Sequence, residues 1–380
     1  MKNSTELPSV SVIIPFYNDE RFIAMCIESV QNQDEVNWEI VAVDDRGTDD
    51  SAEIVASFMG IDERVRLVRH DQNRGLAASR NTGVAFARGD AVVFLDADDF
   101  VFPMSLHSRA VELAKLSWPL SVIAGSYAGW EMVPEEAELS YRPTGSAKMY
   151  RLTYENSHGE NPLIATAPML WRDTVLDVGG FDESFSTAED FEFWMRLLRQ
   201  GYILVPTGEI GVAYRQKRSG MISDGLARHA SNAGRVYEYI HRRLEDDGVS
   251  VSAPAPVRRS LSDHQRVGMW LLRIMQFLVV AVAAEDDNEV AGLLELLPED
   301  VGMDDLQMAN LRKSARSGLA RFELRRGDLP EARRTELEDL ALDVLIVEVA
   351  ARTSPNSQTQ PGLFFPLSEV RDRAEEVVIP

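Results

Sequence analysis

The sequence holds a single cysteine, Cys26, a minority of basic residues, and no apolar run that is both long and uninterrupted. A lone cysteine excludes an intramolecular disulfide framework and a cysteine-based zinc cluster. With 39 Lys and Arg against 61 Asp and Glu, the formal net charge is −22. A chain this acidic is a poor partner for nucleic acid, whose phosphates need a basic surface. It is also repelled by anionic membranes unless a local basic patch overrides the average. The most apolar stretch, Val267 to Ala284, is near the lower length limit for a span and is broken by Arg273 and Gln276 one helical turn apart. A central arginine adds about 2.5–3.5 kcal/mol to insertion, so a buried or partner-facing helix is expected there. Met1 to Pro8 lacks the apolar core of a secretory signal, which with the single thiol predicts a reducing, cytoplasmic setting.

Hydrophobic residues make up 45% of the chain and charged residues 26%, which is ordinary globular usage and enough for a core. At roughly 100–200 residues per domain, the 380 residues predict two domains, with room for a third. The first half alternates short apolar runs with helical stretches. Val10 to Pro15, Trp38 to Val43, Val65 to Val68 and Ala91 to Leu95 read as strands, separated by helices over Arg21 to Val30, from Asp49 or Asp50 to Phe58, and over Leu76 to Ala87. This spacing predicts an α/β fold, a Rossmann-like and mostly parallel sheet with helices on both faces, over residues 1–247. Small residues and two prolines mark a linker at 248–257. Beyond it, 258–380 reads as an α-helical domain with helices over Leu261 to Ala284, Glu289 to Leu297, Asp304 to Arg325 and Pro330 to Ala351, then a flexible connection at Ser354 to Gly362. Met269, Trp270, Leu271, Met275 and Phe277 are expected in the core of that domain.

Carboxylates collect after two strands: Asp44 and Asp45 after the second, Asp96, Asp98 and Asp99 after the fourth. Ligands of open α/β sheets bind along that edge. An Asp-x-Asp at the end of a strand turns two carboxylates to one side, where both reach one hard cation that keeps positions for phosphate oxygens. Taken alone, such a triplet is more often an acidic turn, but other blocks follow in order. These are Val12-Ile13-Ile14-Pro15-Phe16-Tyr17-Asn18, Val43-Asp44-Asp45 with Thr48-Asp49, and Asn73-Arg74-Gly75-Leu76 with Ala78, Arg80, Asn81 and Gly83. After the Asp-x-Asp strand come Gly179-Gly180-Phe181-Asp182 and Ala188-Glu189-Asp190. Over about the first 220 residues this ordered set resembles the inverting family-2 glycosyltransferases, enzymes of the GT-A fold.

The resemblance implies roles for single residues. Pro15, Tyr17 and Asn18 line the nucleotide, Asp44 accepts the ring N–H of the base, and Asp45, Arg74 and Gly75 belong to the same donor-binding edge. Arg80 lies near the diphosphate, where a guanidinium fork suits phosphate oxygens. Asp96 and Ala97 contact the ribose, Asp96 and Asp98 hold Mn²⁺ or Mg²⁺, and Asp99 supports them from behind. Asp190 is the base on the acceptor hydroxyl, and Glu189 holds an acceptor hydroxyl or a neighbouring backbone group. Two acids opening the helix Phe191 to Gln200 would equally complement its dipole. An imide N–H on Asp44 makes UDP the expected nucleotide; dTDP fits as well and GDP stays open.

Departures from the family pattern are Arg46, where Gly-Ser usually follows the acids, and Lys217, where relatives place a histidine two residues after the arginine. A protonated lysine cannot ligate a metal. The expectation is therefore that Arg215 and Lys217 neutralise the diphosphate while water completes the metal shell, unless a histidine such as His229 enters it. The implied partners are a nucleotide-sugar donor and a glycan, glycolipid or small-molecule acceptor. The helical domain is left to extend the acceptor site, pair two copies of the chain, or touch a membrane surface peripherally. Without a Gln-x-x-Arg-Trp block, addition of one or a few sugars is expected. The rival readings are a nucleotidyltransferase, against which stands Pro15-Phe16-Tyr17-Asn18 in place of a Gly-rich basic loop, and a catalytically silent nucleotide-sugar-binding scaffold.

Overall fold

Val10–Phe16 (β1) is buried at every position, so the first strand lies inside the sheet with both faces covered, as its continuous apolar run requires. A computed structural model describes residues 6–115, 123–145, 149–157, 161–217, 225–241, 263–297, 308–326 and 329–353. After β1 come Ile23–Gln31 (α1), Trp38–Asp44 (β2), Ser51–Met59 (α2), Val65–Arg69 (β3), Leu76–Phe86 (α3) and Ala91–Phe94 (β4). Next are Phe100–Val101 (β5), Ser105–Lys115 (α4), Ile123–Pro134 (β6), Tyr154–Ser157 (α5), Pro168–Trp171 (β7), Arg172–Val178 (α6), Glu189–Arg199 (α7) and Ile203–Gln216 (β8). The eight strands form one sheet in the order β3-β2-β1-β4-β7-β6-β8-β5. β1 is parallel to β2 and β4, and β2 to β3. β7 runs antiparallel to β4 and β6, β5 antiparallel to β8, and β6 parallel to β8. The sheet is mixed and mostly parallel.

The two faces of β1 carry different helices. Val10, Val12, Ile14 and Phe16 share a core with Ile23, Cys26, Ile27 and Val30 of α1, whose spacing is one helical stripe. Ile13 points the other way. A Cβ at Gly83 would stand 2.1 Å from Ile13 Cγ2, so the glycine lets α3 lie directly on the strand.

The chain divides into two compact units, and the division falls after Gln216. The expected first domain ran further. The difference comes from Leu226–His241 (α8), which contributes Leu226 and Ala230 to the helical core instead of the sheet's. That second unit continues with Asp263–Ala283 (α9), Asp287–Glu295 (α10), Met308–Arg326 (α11) and Glu331–Thr353 (α12). α9 is its axis: Val267, Leu271, Ile274, Met275, Leu278, Val279 and Val282 are buried around much of the helix. Phe277 is buried too, while Met269 and Trp270 are half-buried. Arg273 bonds Gln276 at 2.9 Å and lies 4.9 Å from the Phe277 ring. His229 of α8 packs edge-on against Phe277, within this helical core. Among the described residues no helix is long and apolar enough to cross a membrane. The expected linker at 248–257 and the connection at 354–362 lie outside the described residues.

Candidate active site

Strand order places the site. β1 stands between β2 and β4: the chain runs outward on one side through β2 and β3 and returns at β4 on the other, and that reversal opens a crevice at the carboxyl end of β1. Tyr17 and Asn18 follow β1, Asp44 ends β2, and the Asp96–Asp99 turn follows β4.

On the β2 side the two acids do different work. Asp45 accepts hydrogen bonds from the backbone N–H groups of Arg74 and Gly75, each at 2.8 Å, and its Oδ1 is 2.7 Å from His70 Nδ1. It therefore fixes the loop entering α3, where Gly75 has φ of 89°, a backbone region in which glycine is at ease. Asp44 is fully buried; its Oδ1 accepts the Gly47 N–H at 2.8 Å. Its Oδ2 is ion-paired with Arg69, 2.8 Å from Nε. Asn18, at φ of 58°, accepts the Thr48 N–H at 2.7 Å. Pro15 is buried in β1, while Tyr17 just beyond it is 48% exposed. Arg46 takes a left-handed conformation, φ of 67°, and faces solvent. Arg74 is exposed and reaches Glu183 at 3.3 Å.

The Asp96–Asp99 turn is held from beneath. Asp99 is buried, accepts the Arg215 N–H at 2.9 Å and the Thr166 hydroxyl at 3.3 Å. Burial first, then the charges of Asp98 and Asp96, push its carboxyl well above the usual range. Thr166 is placed in turn by Arg109, a fully buried arginine that donates to the carbonyls of Thr166 and Ala167 at 3.0 Å. Arg215, expected at the diphosphate, is buried, and its donors are turned inward: to the carbonyls of Asp98 at 2.7 Å, Ala137 at 2.9 Å and Glu135, and to Met25 Sδ. It buttresses the turn. Lys217 is the first residue of the second unit. Cys26 lies under the turn with Sγ 3.7 Å from the Asp96 carbonyl, and burial followed by the surrounding aspartates pushes its thiol well up.

One buried side chain joins the strand-side acids to those of α7. Arg80 of α3, 1% exposed, donates to Asp96 Oδ1 at 2.7 Å and to Glu189 Oε1 at 2.6 Å. Burial opposes its charge, but Asp96, Glu189 and Asp190 together raise its pKa above the ordinary arginine value. Phe181 lies 5.3 Å below the guanidinium. That ring meets Phe94 of β4 edge-on at 4.9 Å and stacks on Phe193 of α7 at 4.5 Å, so an aromatic row ties the Gly179-Gly180-Phe181 segment to both elements. Asn81 clamps the Phe181 backbone in both directions, at 2.8 and 2.9 Å.

α7 opens on Ala188 in a left-handed conformation, φ of 59°, a strained start for a residue with a Cβ. The turn delivers Glu189 to Arg80 and leaves Asp190 partly buried, with Oδ1 on the Phe191 N–H at 2.7 Å and Oδ2 on Asn161 Nδ2 at 3.0 Å. Burial and the Glu189 charge lift the Asp190 carboxyl to about 6, against the opposing pull of Arg80, Asn161 and the Phe191 N–H. A base poised near neutrality is suited to taking a proton from a hydroxyl. Tyr214 of β8 completes the enclosure: burial, then Asp99, Asp98, Asp96 and Asp190, all raise its phenol. Its place in this shared field was not legible in the sequence, and neither was the Asn161 contact.

Among the described residues no three His, Cys, Asp or Glu side chains converge into a ready-made metal cage. Asp96 and Asp98 offer two carboxylates, the contribution a protein makes when a small divalent cation also takes phosphate and water oxygens. Asp96, Asp98 and Asp99 crowd one short turn, a local excess of carboxylates of the sign a cation would neutralise. The donor set fits such an ion.

Residues 11–173 match the model of "Glycosyl transferase family 2". The chain is 43% identical over 247 residues to the uncharacterized glycosyltransferase EpsJ of Bacillus subtilis, covering 63% of this chain and 66% of that protein. It is 25% identical over 242 residues to TuaG of the same organism, named a teichuronic acid biosynthesis glycosyltransferase, covering 63% and 89%. The crystal structure of S. aureus TarS 1-349 in complex with UDP-GlcNAc superposes with a TM-score of 0.54 at 17% identity, covering 84% of this chain and 92% of that one. The chain spans about two thirds or less of the length of most of the relatives it matches. The fold is GT-A-like, and the match to glycosyl transferase family 2 spans the part of the chain, residues 11–173, that carries the acidic blocks at the ends of β2 and β4.

Proposed function

We propose that this chain transfers a sugar from a nucleotide diphosphate donor, a UDP-sugar, to an acceptor hydroxyl with inversion at the anomeric carbon. Its product would be part of a cell-surface polysaccharide, a lipopolysaccharide or another glycoconjugate. The observation that carries the reading is the Arg80 bridge, which brings Asp96 of the Asp-x-Asp turn and the Glu189-Asp190 pair to opposite ends of one guanidinium. Support for the nucleotide comes from the TarS complex with UDP-GlcNAc, and for the product class from the name of TuaG.

In this reading Tyr17 stacks on the uracil and the Asp44 carboxylate accepts a hydrogen bond from its imide N–H. Asp96 and Asp98 hold Mn²⁺ or Mg²⁺. When bound, that ion supplies Lewis acidity to the departing diphosphate. With Arg80 committed to two acids and Arg215 to backbone carbonyls, Arg74 is the exposed guanidinium among those assigned to the donor. Asp190 accepts the proton of the attacking hydroxyl as its oxygen bonds to the anomeric carbon. The bond from that carbon to the diphosphate breaks on the opposite face, and its electron pair leaves with the phosphate oxygen. Glu189, fixed by Arg80, keeps the turn that presents Asp190 in register.

The test is release of nucleoside diphosphate from a panel of sugar nucleotides with Mn²⁺, paired with calorimetric binding of UDP. Asp190→Asn is expected to retain UDP binding and lose turnover by about 10²–10⁴-fold, the usual weight of a general base. Full turnover in that variant, or no nucleotide binding by the parent chain, would remove the reading.

A further inference from the structure

A carboxylate that serves as a base must keep one oxygen aimed at its proton, and a carboxyl group rotates freely unless something holds its plane. Asp190 is held at both oxygens. Oδ1 accepts the Phe191 N–H at 2.7 Å, a bond along its own helix, and Oδ2 accepts Asn161 Nδ2 at 3.0 Å from the segment leading into β7. The amide is oriented by its partner, since a carboxylate only accepts and the NH₂ must therefore face it. The Asn161 Oδ1 makes a long 3.5 Å contact with the Leu163 N–H, which anchors the amide at its other end.

We infer that Asn161 is a positioning residue for the transfer reaction: its amide fixes the plane of the Asp190 carboxylate and gives its charged form a neutral hydrogen bond. The inference rests on the reading of Asp190 as the base. The charged and titratable groups facing Asp190 are Glu189 beside it, Arg80 from α3 and Tyr214 from β8. Glu189 disfavours the charged form and Arg80 favours it. An arginine there would add a second cation to the one already shared by Asp96 and Glu189, whereas an amide steadies the carboxylate without making it too weak a base.

The experiment follows Asp190 directly by carboxyl ¹³C NMR titration of the full chain, its resonance identified by its absence in Asp190→Asn, with kcat and donor KM measured alongside as functions of pH. Removing the donor in Asn161→Ala is expected to move the Asp190 midpoint upward by about half a unit to one unit. The same variant should lower kcat by about tenfold with donor KM nearly unchanged, as a loss of orientation does. Asn161→Asp, which adds a third carboxylate, should move the midpoint further, and Asn161→Ser, which keeps a donor hydroxyl, should recover part of both effects. An unmoved midpoint in Asn161→Ala, or an Asn161→Asp variant no worse than Asn161→Ala, overturns the inference. Should Asp190→Asn keep full turnover, the base assignment fails by itself, while the midpoint in Asn161→Ala still reports the contact.

Discussion

Asp190 combines two environments that pull apart, a buried flank with Glu189 alongside and a guanidinium one residue away through that same glutamate. The balance leaves its carboxyl at about 6, and the sign of the pH dependence follows. In its proposed role as a base it works ionised, so kcat/KM, which follows the free enzyme, should be level above neutrality and fall as pH drops through about 6, by tenfold per unit below it. A pH–rate profile checks this, and a limb near the ordinary aspartate value would show that the acid measured is another one. Asp96, Asp98, Glu189 and Asp190 were singled out by the ordered blocks of the resemblance, and the fold brings Asp96 and Glu189 onto one guanidinium. Arg215 was legible as a basic residue in the right block but not in its use, because only the fold shows its donors turned to the carbonyls of Asp98, Glu135 and Ala137. Asn161 carried no signal; a lone Asn before a proline reads as a turn, and its partner is 29 residues away.

At the scale of elements, β1 to β4 and the helices between them were legible to within a residue or two, since buried parallel strands leave continuous apolar runs. The strands on the other side were not. β6, Ile123–Pro134, carries glycines, serine and alanine in place of alternation, and β8 contains Pro206 and Gly208, which read as a turn. They form strands because each pairs along the other, with irregularities near Tyr127 and Gly129. The start of α7 is the element most open to a direct test. Ala188 holds a left-handed conformation that costs an L-residue about 1–2 kcal/mol. Ala188→Gly should therefore raise stability in urea unfolding by about 0.5–1 kcal/mol after the glycine's extra unfolded-state entropy. Turnover should fall in the same variant, because the turn that delivers Glu189 and Asp190 has gained freedom. A loss of stability instead would place the strain elsewhere.

For the molecule as a whole, composition changes near residue 250, whereas α8 follows the sheet in sequence and joins the helices in packing. The net charge of −22 acts on everything at once. Self-repulsion of that size weakens the folded state at low ionic strength. Salt that shortens the screening length from about 30 Å to about 8 Å should raise the melting midpoint, by about 2–4 °C for each kcal/mol of repulsion removed. A midpoint indifferent to salt would mean the acids are locally balanced. The bridge through Arg80 has a consequence for descent as well. Because one cation answers to an acid on each flank, neither flank can change its charge in isolation, and lineages that alter what this cleft accepts must carry compensating exchanges on the side that grips the donor.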